Sequence, residues 1–142
     1  MANYANQKPS LIAGQGALSK SRINPSASLA ISLKHFDLKQ GQSFQKWEEE
    51  KLLAQMLDTF YGYCQRTPVD KCFNPKFKPY KSFPAHSEFK PPAHVPPDAT
   101  WYSMHLAGEP CVIGHMISNV FYVVFLDMHH KFYPSNLQDR GK

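Results

Sequence analysis

No apolar run in this 142-residue chain approaches the roughly 20 residues a membrane-spanning helix requires. No membrane role is expected. The first residues, Met1 to Gly16, lack the apolar stretch of a secretory signal. Cysteine is scarce and odd in number: Cys64, Cys72 and Cys111. Without a signal, that usage points to reduced thiols and a cytoplasmic chain. Only three arginines occur, Arg22, Arg66 and Arg140. There is no phosphate-binding glycine loop and no Gly-x-Ser-x-Gly. The close ligand spacings of zinc sites, Cys-x-x-Cys or His-x-x-x-His, are missing too. Neither a metal nor a cofactor is therefore expected.

What is present suffices for one modest core. Hydrophobic residues make up 42% of the chain and charged residues 19%, too apolar for wholesale disorder. Sixteen Lys and Arg against 11 Asp and Glu give a net charge of +5, and 12 prolines and 7 histidines stand out.

Residues 1–27 read as a disordered basic tail. Asn, Ser, Gly, Ala and Gln dominate, and Lys8, Lys20 and Arg22 are its only charges. Such a segment buries too little apolar area to offset its ordering entropy. A single α+β domain is expected over 28–134, followed by a polar tail at 135–142.

Within the domain, 28–38 reads as a strand, with Leu29, Ile31 and Leu33 alternating with Ala30, Ser32 and Lys34. Residues 44–66 read as one long helix. Ser43 is its N-cap, and Glu48, Glu49 and Glu50 lie near its positive end. Leu53, Met56, Leu57, Phe60 and Cys64 mark its apolar face. Thr67-Pro68 ends it and has the chemistry to open a short second helix.

Residues 73–99 carry seven of the prolines. Phe73, Phe77, Tyr80, Phe83 and Phe89 are interleaved with Lys76, Lys78, Lys81 and Lys90. Proline at this density excludes a helix or a central strand. An extended strap across the domain surface is expected, its aromatics either anchored on the core or stacking nucleic-acid bases.

The rest reads as a β-meander: 101–106, 111–117 and 120–126, with turns at Ala107-Gly108-Glu109-Pro110 and Ser118-Asn119. The last strand, Val-Phe-Tyr-Val-Val-Phe-Leu, is apolar throughout, as a strand covered on both faces would be. Phe132-Tyr133 reads as a further short strand. An antiparallel sheet of three to five strands with one long helix packed on it follows.

The densest polar constellation follows the apolar strand: Asp127, His129, His130, Lys131 and Tyr133. Histidine exchanges protons near neutral pH, a carboxylate fixes its tautomer, and lysine holds phosphate oxygens. These are the parts of a metal-independent ribonuclease, with His129, His130, Asp127, His115 and Tyr133 as catalytic candidates. Lys76, Lys78, Lys81 and Lys131 are the nucleic-acid-binding candidates. His105 and His115 lie across one hairpin turn and are expected on one face, near each other.

The run Trp101-Tyr-Ser-Met-His-Leu-Ala-Gly, then Val112-Ile-Gly-His, then Val120-Phe-Tyr-Val-Val-Phe-Leu-Asp-Met-His-His is similar to small uncharacterised bacterial proteins that close on Asp-x-x-His. Its order of strands resembles the sheet of the RelE/ParE toxin superfamily. The resemblance implies a small basic protein that acts on messenger RNA at the ribosome and is held by an antitoxin-like protein partner. RelE-like nucleases usually place arginines on the central strands, and this meander has none. The resemblance would pass that work to His115, His129, His130 and Lys131. The competing expectation is a non-catalytic interaction module that binds a protein or nucleic acid through the strap.

Overall fold

The alternation of Leu29 and Ile31 does build a strand, but a short one. In the computed structural model, which describes residues 27–67 and 76–134, β1 spans only Ala30–Ser32. The chain then turns, with the Phe36 N–H donating to the Leu33 carbonyl. Leu33 is consequently exposed rather than buried.

The single long helix expected over 44–66 is two helices, α1 (Phe44–Glu49) and α2 (Leu53–Cys64). Ser43 caps α1 as expected, its hydroxyl accepting from the Lys46 N–H at 3.0 Å. The break lies at Lys51, which adopts φ 64°. The Leu52 N–H reaches back to the Trp47 carbonyl and the Lys51 N–H to that of Glu48. This pairing is a Schellman motif, with lysine where glycine is usual. Glu48 and Glu49 thus sit at the negative end of α1, the reverse of the expected placement.

Strands β2 (Phe77–Tyr80), β3 (Thr100–His105), β4 (Cys111–Ile117) and β5 (Val120–Asp127) complete a five-stranded sheet of order β1-β5-β4-β3-β2. The fold is α+β, but the sheet is mixed. The β2-β3-β4-β5 ladders are antiparallel, whereas β1 runs parallel to β5. Along the chain both helices separate β1 from β2, and the two strands end on opposite edges of the sheet. Pro79 stands inside β2, which is permitted because β2 is an edge strand.

A bulge in β5 decides which residues face which core. Ile113 pairs with Phe125 and Gly114 with Val123, leaving Val124 unmatched. The Val124 carbonyl is taken instead by the Asp37 N–H at 2.9 Å. In an unbroken strand Val123 and Phe125 would share one face; the bulge puts them on opposite faces. Val123, Leu126 and Phe121 share the helical face with Trp47, Met56 and Phe60. Leu57 is exposed, contrary to its expected place on the buried face. Val124 and Phe125 belong to a second core on the opposite face, with Trp101, Ile113 and Phe132.

The strap covers that second face. Phe89 lies 4.5 Å from the Phe125 ring, and Phe83 lies 5.0 Å from Trp101 and 5.1 Å from Phe132. Three of its prolines open turns, the Pro84, Pro92 and Pro96 carbonyls accepting the N–H groups of Ser87, Val95 and Ala99. These aromatics are anchors, which removes them as base-stacking platforms. Phe132-Tyr133 forms a turn rather than a strand. The leader at 1–26, the helix suggested to open at Thr67-Pro68, Phe73 and the tail at 135–142 lie outside the described residues.

Candidate functional site at the end of the sheet

Four strand ends and one turn meet on the strap-covered face. The β3–β4 register places His105 opposite Cys111 and Trp101 opposite His115. All four share one face, as expected for His105 and His115. The two histidines stand at opposite ends of the hairpin, however, about 13 Å apart at four residues of strand rise. They are not near neighbours.

His115 belongs to a separate cluster. It is buried, its Nε2 lies 2.9 Å from His35 Nδ1, and its ring stacks on Tyr122. Burial, then the charges of His35 and His94, lowers its pKa to about 4. His115 is thus packed with His35 and Tyr122, apart from the cluster that follows β5.

At the other end, His105 meets His130. Their ring centroids are 5.4 Å apart. Cys111 Sγ lies 3.3 Å from His105 Nδ1, and Ser103 Oγ lies 3.3 Å from His105 Nε2. Tyr80 reaches Ser103 with its hydroxyl at 3.1 Å. His130 Nδ1 lies 2.8 Å from the Tyr133 carbonyl. A carbonyl only accepts, so Nδ1 carries the proton and the lone pair of neutral His130 is on Nε2. Tyr133 closes the group, its ring 5.8 Å from that of Tyr80.

Asp127 supports this arrangement. Its carboxylate is buried and accepts the N–H groups of Lys131 and Phe132 at 2.8 and 2.7 Å. It shapes the turn that carries His130, whose φ of 59° is the left-handed conformation. Burial raises the Asp127 pKa, and the two N–H donors oppose that rise. His129 is exposed on the same turn.

The lysines divide. The Lys76 carbonyl accepts the His105 N–H at 2.7 Å, and Lys78 pairs with Ser103. Both are close enough to act on His105, whose pKa is lowered by burial first, then by His130, Lys78 and Lys76. Lys81 is exposed beyond the end of β2. Lys131 Nζ lies 3.6 Å from Glu88 Oε2, which partly neutralises it.

The structure therefore brings together His130, Tyr133 and Asp127 from the expected set, with Lys76 and Lys78. It leaves out His115, His129, Lys81 and Lys131. It adds Tyr80, Ser103, Cys111 and His105 in a new pairing. The signal for that pairing was in the turn: a hairpin closed symmetrically about Gly108 sets His105 against Cys111. No family model, curated protein or solved structure matches the chain. Among the described residues, no helix is long and apolar enough to cross a membrane.

Proposed function

We propose that this protein is an RNA-directed, toxin-like endoribonuclease that works without a metal, with His105 and His130 as its acid–base pair. One observation carries the reading: two imidazoles 5.4 Å apart, with Lys76 and Lys78 acting on one of them. A phosphodiester placed there meets a proton acceptor, a proton donor and two cations.

One imidazole takes the proton of the ribose 2′-hydroxyl. The 2′-oxygen attacks phosphorus, and the bond from phosphorus to the 5′-oxygen breaks. The other imidazole protonates that leaving oxygen. The products are a 2′,3′-cyclic phosphate and a 5′-hydroxyl. Lys76 and Lys78 offset the charge of the five-coordinate phosphorus. Asp127 positions the turn that bears His130, and His129 has no part in the chemistry. In this reading histidine and lysine do the work that the RelE/ParE resemblance would assign to arginines, which the meander lacks. RNA, free or on the ribosome, is the partner.

The test is cleavage of labelled single-stranded RNA and of translated message by purified protein with chelator present. His105→Ala and His130→Ala should each lower the rate by about 10²- to 10⁴-fold, and His129→Ala should not. Failure to cut either substrate overturns the reading, as does full activity in both variants.

A further inference from the structure

Sulfur and two imidazole nitrogens converge at the end of the sheet in a pattern that acid–base chemistry does not require. His105, Cys111 and His130 each offer one ligand atom, and the three atoms lie within 4.8 Å of one another. We propose that these three residues form a binding site for a zinc-class divalent cation, and that the bound ion switches the catalytic pair off. The site stands independently of the cleavage reading; the switching rests on it.

The geometry is close to what such an ion needs. Tetrahedral zinc holds nitrogen at about 2.0 Å and sulfur at about 2.3 Å, which sets neighbouring ligand atoms roughly 3.5 Å apart. His105 Nδ1 and Cys111 Sγ are already 3.3 Å apart. His130 closes the remaining gap by a small movement of its turn.

The surroundings orient both imidazoles for coordination. Metal-bound histidine usually donates its second ring N–H to an oxygen, which fixes the tautomer and aims the lone pair at the ion. His130 Nδ1 faces the Tyr133 carbonyl, leaving Nε2 as the ligand. His105 Nε2 faces Ser103 Oγ, which in turn meets the Tyr80 hydroxyl, leaving Nδ1 toward the thiol. Both histidines thus have their outer partner before any ion binds. Nitrogen and sulfur ligands select a zinc-class ion over magnesium or calcium, which take oxygen.

Binding forms a metal–sulfur bond and releases the thiol proton to solvent. Three protein ligands leave a fourth position open to water. The ion occupies the ring nitrogens through which His105 and His130 would take and give protons, so cleavage stops. Spacing along the chain concealed the site, because the ligands come from β3, β4 and the turn after β5.

Cobalt(II) and zinc(II) are the probes, added to the reduced, metal-free full chain without RNA. Cobalt should bind one per chain and give a sulfur-to-cobalt charge-transfer band in the near ultraviolet, which zinc should displace. Cys111→Ser should lose that band, and Ser103→Ala should weaken zinc binding about 10- to 100-fold. If Cys111→Ser does not fold, His130→Gln should show the same weakening. No binding below millimolar metal overturns the site. Survival of the band in Cys111→Ser overturns it too, because the sulfur would then be Cys64 or Cys72. In the cleavage assay, zinc should stop the reaction and chelator should restore it; undiminished cleavage by cobalt- or zinc-loaded protein overturns the switch. A protein that binds cobalt as described but cuts no RNA refutes the cleavage reading alone.

Discussion

His35 Nδ1 lies 2.9 Å from His115 Nε2, across 80 residues of chain. The pair ties the loop after β1 to the middle of the sheet, and Tyr122 stacks on both rings, with centroids 4.3 and 5.2 Å away. One nitrogen must donate and the other accept, so the contact needs at least one neutral imidazole.

Stability should therefore fall in mild acid. Burial holds the His115 pKa at about 4, and burial followed by His94 and Lys34 lowers that of His35. An unfolded histidine titrates near 6.5. Above that value neither state takes a proton and the contribution is complete. As pH falls from about 6.5 toward about 4, the unfolded chain gains protons that the fold refuses, and stability is lost. Between pH 7 and pH 5, His115 should account for a loss on the order of 2 kcal/mol. Urea midpoints measured across that range should fall, and His115→Gln should flatten the slope. A midpoint independent of pH contradicts the burial of this pair.

The close approach of Phe121 and Tyr122 leaves no room for a side chain at Gly114. A Cβ at Gly114 would lie 2.1 Å from the Tyr122 carbonyl oxygen and 2.8 Å from the Phe121 ring. The backbone oxygen cannot retreat without opening the β4–β5 ladder. Gly114→Ala should cost about 3 kcal/mol or more, at or above the upper range for overpacking. A thermal midpoint close to that of the parent protein would refute the register.

Lys51 stores strain that glycine would release. A left-handed residue with a Cβ costs roughly 1 to 2 kcal/mol, and the greater freedom of glycine in the unfolded chain returns about half of that. Lys51→Gly should stabilise the protein by about 0.5 to 1 kcal/mol, read as a rise in thermal midpoint. A fall would indicate a continuous helix through 44–64.

Lysine position should decide RNA affinity. Lys76→Glu and Lys78→Glu should weaken binding and make it less sensitive to salt. The log–log slope should shrink by about 0.7 for each phosphate no longer neutralised. Lys81→Glu, beyond the end of β2, should do less. Filter binding over a series of salt concentrations measures both. Equal effects at all three positions would place the RNA elsewhere.

The meander was legible because its strands announce themselves locally. Trp101, Cys111 and Val120 each begin a β-rich run bounded by turn residues, and the observed strands begin within a residue of them. The break at Lys51 was not legible. Apolar periodicity continues through Leu52, Leu53 and Met56, and lysine carries no turn signal. The parallel pairing of β1 with β5 was hidden for another reason. It joins residues 90 apart, such as Ala30 and Val120, and no local pattern encodes such a partner. At the site, sequence proximity misled. His129 and His130 are adjacent, yet only His130 turns inward. His105 reaches it from 25 residues away, through a register that only the folded hairpin fixes.

The division of labour between His105 and His130 can be read from an RNA substrate in which sulfur replaces the bridging 5′-oxygen at the cleaved bond. A thiolate leaves without a proton, so the variant that lacks the general acid should recover its rate on this substrate. The variant that lacks the general base should stay slow. One of His105→Ala and His130→Ala should therefore be rescued and the other should not. Rescue of both or of neither would contradict an acid–base pair built from these two imidazoles.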